Sequence, residues 1–129
     1  MVKQGLQLFM RADLASVYLD KERKVIVNVN IDNIGEEDVN LHYDYSGGNA
    51  QLEVFKVEGE ELVKVKEYVG LTSGTKHYTG KLRSGLTMDL QYLVTVTSPG
   101  IYFYEFSIPI EIAGETKIWS TRRYNTISW

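Results

Sequence analysis

The sequence contains no cysteine, which excludes disulfide bonds, thiolate metal ligands and a cysteine nucleophile. Stability must therefore come from the packing of side chains. Absence of cysteine suits a reducing cytoplasm, which it slightly favours, but extracellular prokaryotic domains can also lack cysteine, so the compartment stays open. The N-terminal residues also lack a long apolar run, because Gln4, Gln7 and Arg11 interrupt them. We expect neither a signal peptide nor a membrane span in this sequence, and an extracellular location would imply a signal or anchor that was removed.

Residues that carry chemistry are scarce. Histidine occurs only at His42 and His77, and zinc would need three or four ligands, so no zinc site is expected. No Gly-x-Ser-x-Gly elbow accompanies either histidine. Gly70, Gly74 and Lys76 come nearest to a phosphate-binding loop, but their spacing does not match one. We therefore expect no catalytic residues, no metal and no cofactor, and we predict that the protein is not an enzyme.

The net charge of −3 and the isoelectric point near 5.4 argue against a nucleic-acid partner, because such proteins concentrate lysine and arginine on one face. Acidic residues cluster in two predicted turns, which leaves two alternatives. They are solvated turns that discourage strand pairing, or they bind calcium through carboxylate oxygens. The clustered residues are Asp32, Glu36, Glu37, Asp38, Glu58, Glu60 and Glu61.

The length of 129 residues predicts a single domain over residues 1–129, large enough for a real core. Apolar residues alternate with polar ones in many segments, which is the two-residue period of half-buried strands. Large residues on both sides of 101–112 indicate a central strand covered on both faces for part of its length, with Pro109 at a bend or an edge. The predicted strands are residues 7–12, 16–19, 25–32, 39–45, 51–57, 62–69, 88–96, 101–112 and 116–124.

The turns between these strands define the expected architecture. Residues 33–38 and 58–60 each predict a hairpin, and residues 70–85 predict one long irregular loop. No segment keeps a helical period, and turn residues recur every eight to twelve positions. This pattern predicts an all-β fold, an immunoglobulin-like or fibronectin-like antiparallel β-sandwich of eight or nine strands, with a barrel as the minor alternative.

Aromatic residues make up 12% of the chain, and the C-terminal segment 119–129 combines tryptophan, tyrosine and arginine. These residue types carry interface hot spots, so this segment is a candidate contact surface. Two loops of the predicted sandwich are further candidates. The candidate partner-binding residues are Ser46, Gly47, Gly48, Asn49, Thr72, Ser73, Lys76, His77, Tyr78, Trp119, Arg122, Arg123, Tyr124 and Trp129.

Four short turn motifs occur in order along the chain: Asn33-Ile34-Gly35, Ser46-Gly47, Leu82-Arg83-Ser84-Gly85 and Ser98-Pro99-Gly100-Ile101-Tyr102. In these motifs the chain resembles the intracellular proteinase inhibitor (BsuPI-like) family of bacilli and its archaeal and bacterial relatives, over roughly residues 16–108. The resemblance implies an immunoglobulin-like sandwich whose loops occupy a protease cleft. Its tyrosine after Pro-Gly is expected to pack against or cap the corner.

The leading functional hypothesis is a non-enzymatic protein-binding module, with inhibition of a protease as its concrete form. The alternative is a structural subunit of a filament, virion or cell-surface assembly, in which edge strands add to a neighbouring copy and form a homo-oligomer. A third hypothesis is an enzyme or carbohydrate-binding domain that uses exposed aromatic side chains.

Overall fold

The computed structural model describes residues 5–19, 22–36, 38–44, 50–69, 77–112 and 114–128. Those residues form nine β-strands arranged in antiparallel sheets, which confirms the all-β class and the sandwich of eight or nine strands. The described residues form no helix that is long and apolar enough to cross a membrane. The strands are β1 (Leu6–Leu19), β2 (Glu22–Asn33), β3 (Val39–Asp44), β4 (Gln51–Glu58), β5 (Glu61–Val69), β6 (His77–Leu82), β7 (Thr87–Val96), β8 (Gly100–Ile112) and β9 (Glu115–Ile127).

The smaller sheet, sheet A, has the strand order β1-β2-β7. Its central strand β2 has the clearest alternation in the sequence, and Val25, Val27, Val29 and Ile31 on its inner face are fully buried. Strand β1 combines the two predicted N-terminal segments into one strand, with an irregularity in its pairing between Leu14 and Tyr18. One face of sheet A therefore forms half of the core.

The larger sheet, sheet B, is built around β8. Strand β9 pairs with one edge of β8 from Gly100 to Ile112, while β4 and then β3 pair with the other edge. Strands β5 and β6 pair in turn with β4 and β3. Strands β3 and β4 therefore lie end to end along the same edge of β8, and β6 and β5 lie end to end beyond them. Each of these two strand positions in sheet B is filled by two short strands instead of one long strand.

Pro109 lies in the interior of the sheet, so an edge position was the wrong prediction for it. It pairs in register with Ile118 of β9. On the opposite edge of β8, pairing with β4 ends at Ser107 and pairing with β3 begins at Ile110. Proline lacks a backbone N–H and cannot donate to a ladder, and here it occupies the gap between two partner strands.

The core lies between the inner faces of the two sheets. Tyr92 of β7 and Phe106 of β8 meet across the interface, with ring centroids 6.0 Å apart. The other large buried side chains come from both sheets in alternating positions, so burial of apolar area is the main driving force of this fold. They include Ile31, Leu52, Val54, Val94, Tyr104, Ile108 and Ile110.

Two predictions about connectivity were wrong. The turn after β2 does not close a hairpin, because β2 pairs with β1 and β7 while β3 pairs with β6 and β8. That turn instead carries the chain from sheet A to sheet B. The predicted loop 70–85 contains strand β6, which pairs with β3 from Leu82 back to His77. The predicted hairpin between β4 and β5 is confirmed, with Gly59 at a positive φ of 65° in its turn.

The Pro-Gly turn before β8 is capped as the sequence indicated. The hydroxyl of Tyr102 donates a hydrogen bond of 2.7 Å to the backbone carbonyl of Ser98. The ammonium of Lys56 donates to the hydroxyl of Ser98 at 2.8 Å. Tyr102 is buried, and this part-buried bond gives its hydroxyl a partner at the edge of the core.

Candidate protein-binding surface

The candidate residues of the C-terminal segment fall on β9, and strand alternation divides them between two faces. Trp119 and Arg123 stand in register with the buried residues Ile108 and Tyr104, on the side of the core. Arg122 and Tyr124 occupy the intervening positions and therefore lie on the outer face of sheet B. The segment is thus not one contact surface.

Three aromatic side chains form a continuous row across the outer face of sheet B. Phe55 of β4, Phe103 of β8 and Tyr124 of β9 stand in register on adjacent strands. Their ring centroids are 5.9 Å apart for Phe55 and Phe103, and 4.6 Å apart for Phe103 and Tyr124. Phe103 is buried beneath its neighbours, whereas Tyr124 is 58% exposed. We call these three residues the aromatic row.

A row of charged residues lies beside the aromatic row. It consists of Glu53, Glu105 and Arg122, each two positions along its strand from a member of the aromatic row. Glu105 of β8 accepts a hydrogen bond from the guanidinium of Arg122 on β9. On the other side, the Lys64 ammonium lies 2.8 Å from the Glu53 carboxylate and 3.2 Å from that of Glu67. The hydrogen bonds that Lys64 donates to Glu53 and, to a lesser extent, to Glu67 raise its pKa. The hydrogen bond to Glu105 holds Arg122 in a defined orientation at the rim of the aromatic row.

Apolar residues continue the surface on the other side of the aromatic row. Ile101, two positions before Phe103 on β8, is 45% exposed. Val57 of β4 stands in register with Leu62 of β5, and Leu62 is also exposed. Contiguous exposed apolar side chains bordered by charge are typical of protein–protein contact sites.

The outer face of sheet B combines aromatic side chains with paired charged groups. Its aromatic side chains present large rigid areas, and its cationic and anionic groups are already paired. In the part of the chain that the structure describes, no group of three or more histidine, aspartate or glutamate residues could hold a metal ion. The Asp38 carboxylate of the first acidic turn accepts a hydrogen bond of 3.0 Å from the backbone N–H of Ser84.

Of the remaining predicted site residues, the structure describes only His77 and Tyr78. His77 and Tyr78 lie on β6, where their backbones pair with Asp44 and Tyr43. The strands that flank the two candidate loops adjoin each other, because Gln51 pairs with Val69 just as Asp44 pairs with His77. Outside the described residues lie Ser46, Gly47, Gly48, Asn49, Thr72, Ser73, Lys76 and Trp129.

Sequence reasoning missed Phe55, Phe103 and Ile101. Phe103 was recognised only as part of a strand covered on both faces for part of its length; it is buried by Phe55 and Tyr124 of its own sheet, while Ile101 on the same face is exposed. The row becomes visible when the register of β4, β8 and β9 is known. Alternation alone indicated which residues share a face of one strand, but not which strands are neighbours.

Comparison with known proteins adds the architecture alone. No protein-family model matches the chain, and no curated protein matches it. A crystal structure of a Bordetella pertussis protein provisionally named ApaA is similar, with a TM-score of 0.62 at 11% identity over 96% of this chain and 94% of that one. The X-ray structure of the structural-genomics target SoR45 has a TM-score of 0.57 at 11% identity, covering 91% and 84% of the two chains. At this identity the likeness concerns the fold and not the function.

Proposed function

We propose that the protein is a non-enzymatic protein-binding module that contacts its partner through the outer face of sheet B. The observation that carries the proposal is the aromatic row, in which the exposed Tyr124 rests on the buried Phe103 at 4.6 Å. A tyrosine that is already fixed by its neighbour loses little side-chain entropy when a partner covers it.

Arg122 supports the same proposal from the rim of the row. Its guanidinium is oriented by Glu105 while most of its side chain remains exposed. Tyrosine and arginine are enriched among the interface residues whose truncation costs about 2 kcal/mol or more. A partner with an apolar centre and a carboxylate at its edge would complement this surface.

The proposal is tested by affinity capture with matched variants. The protein and its Tyr124→Ala and Phe9→Ala variants are immobilised and exposed to extracts of the native cells. Phe9 is the control because it is also an exposed aromatic residue, but it lies on β1 in sheet A. We expect the wild type and the Phe9 variant to retain the same proteins and the Tyr124 variant to lose them. Equal retention by all three would refute the proposed surface.

Inhibition of a protease is the concrete form of binding that the family resemblance supports. The pairs Gln51–Val69 and Asp44–His77 bring together the strand ends on either side of both candidate loops. Two loops that begin side by side are suited to enter one cleft. A panel of serine and cysteine proteases provides the test, and failure to slow any of them rejects inhibition while leaving the outer face of sheet B to be tested separately.

Self-assembly is a second candidate function, favoured by the edge of β9. This 13-residue strand pairs with β8 along one edge, and its other edge pairs with no strand among the described residues, although the Asn125 side chain near its end bonds to the backbone of β1. Unpaired edges accept strands from other chains. Light scattering across a range of concentrations decides the matter, since a constant monomeric mass would exclude this function.

A further inference from the structure

A cleft opens between the two sheets beside the first half of β9, away from the aromatic row. Its floor is apolar, formed by Val39 of β3 and by Ile110 and Ile112 at the end of β8. Its volume is about 270 Å³. Pockets for drug-sized ligands measure roughly 300–1,000 Å³, so this cleft suits a smaller molecule.

Strands β1 and β9 pack against each other, and the cleft lies at one end of this contact, which we call the seam. Further along that seam the side-chain amide of Asn125 donates a hydrogen bond of 3.3 Å to the backbone carbonyl of Ala12. At the other end, Gly5 stands before β1 and lines the cleft together with residues of β9. Because Gly5 has no side chain, the cleft is open on this side, and a Cβ there would meet nothing within 4 Å.

One wall carries a buried hydrogen-bond donor. The indole Nε1 of Trp119 is buried and has no hydrogen-bond partner among the described residues, although the ring packs against the core. An indole N–H can only donate, so its partner must be an acceptor. The Trp119 side chain lines the same cleft as the apolar floor, so a ligand that supplies the acceptor must also carry an apolar part that fits this floor.

The mouth of the cleft is charged. Lys117 and Glu115 precede Trp119 at two-residue intervals and therefore share its face of β9. Both are exposed, and within the described residues neither takes part in an ion pair. Lys117, nearer to Trp119 along the strand, can pair with a negative group whose oxygen accepts a hydrogen bond from the indole N–H.

We propose that this cleft binds a small monocarboxylate. Its hydrocarbon part would lie on Val39, Ile110 and Ile112, and its carboxylate would accept a hydrogen bond from Trp119 Nε1 and pair with Lys117. A primary amine of the same length offers no acceptor in its charged form, so it should not satisfy the indole. This site is distinct from the outer face of sheet B and does not depend on the protein-binding proposal.

The test uses octanoate as the probe and octylamine as its matched competitor. Titration is followed by NMR at the indole N–H of Trp119, which the Trp119→Phe variant distinguishes from that of Trp129. We expect a saturable downfield shift with octanoate and none with octylamine. No shift below the concentration at which octanoate self-associates, or equal binding of the amine, would overturn the proposal.

Variants separate the groups of the site. Trp119→Phe keeps an aromatic ring without the donor and should weaken binding by roughly threefold to tenfold, the factor for one hydrogen bond. Lys117→Gln should weaken binding, whereas Glu115→Gln should strengthen it. Opposite signs for the last two cannot arise from a general loss of structure, and identical signs would contradict the proposal. If Trp119→Phe does not fold, nuclear Overhauser effects between octanoate and the Ile110 methyl groups in the wild type decide the location, and their absence counts against it.

Discussion

The side-chain amide of Asn33 donates a hydrogen bond of 2.9 Å to the backbone carbonyl of Leu82, which lies in the other sheet. The carbonyl oxygen of the same side chain accepts a hydrogen bond of 3.0 Å from the backbone N–H of Gly35. Asn33 is fully buried and thus connects the end of β2, the turn that crosses between the sheets, and the end of β6. The Asn-x-Gly motif is explained by these bonds.

Replacing Asn33 with alanine should lower the free energy of unfolding by about 2–4 kcal/mol, because two buried backbone groups lose their partners. Urea unfolding measures the change. Asn40→Ala is the control, since Asn40 is exposed on β3, and it should cost about 0.5 kcal/mol or less. Equal effects of the two substitutions would show that the corner contributes no more than an exposed position.

Gly85 completes the same corner, and its backbone N–H donates a hydrogen bond of 2.9 Å to the carbonyl of Asn33. Its φ of +82° is disfavoured for residues with a Cβ, although a Cβ there would meet nothing within 4 Å. Gly85→Ala should therefore cost about 1–2 kcal/mol through backbone conformation alone. Gly5→Ala, at a position with open space and no positive φ, should cost little by the same thermal or urea measurement. A neutral Gly85 variant would contradict the assigned conformation.

Removal of the Tyr102 hydroxyl tests the capped turn before β8. Tyr102→Phe should lower the free energy of unfolding by about 1 kcal/mol or slightly more, because the carbonyl of Ser98 loses a hydrogen bond of 2.7 Å. Tyr124→Phe is the matched control, since among the described residues its hydroxyl has no hydrogen-bond partner. A cost for the control equal to that of Tyr102→Phe would indicate that the turn bond adds nothing.

Burial raises the pKa of the Tyr92 hydroxyl far above its usual value. In the unfolded chain this group ionises near its ordinary pKa of about 10, whereas the folded protein retains the proton. The unfolded state therefore binds fewer protons in alkaline solution, and stability should fall above about pH 10 by up to roughly 1.4 kcal/mol per pH unit from this residue. Tyr92→Phe should reduce that slope in urea unfolding measured between neutral and alkaline pH. An unchanged slope would show that Tyr92 ionises as readily in the folded protein.

Sequence alone predicted most of the strands, because half-buried strands such as β2 and β7 alternate strictly. Strand β6 was missed, since Gly80 and Lys81 give it the composition of a loop while pairing with β3 defines it. The sheet change after β2 was also unreadable, because the same turn chemistry serves a hairpin and a crossing between sheets. Tyr124 was a candidate from its residue type, but its partners Phe55 and Phe103 required the strand register.

Site-specific photo-cross-linking tests the proposed contact surface most directly. A photoreactive phenylalanine analogue is introduced in place of Tyr124 on sheet B, or in place of Phe9 on sheet A, and the protein is irradiated in its native cells. Both positions are exposed and aromatic, so the two probes report on different faces with the same chemistry. We predict a discrete cross-linked partner protein from position 124 and none from position 9. Cross-links of equal yield to the same proteins from both positions, or none from position 124, would contradict the proposal.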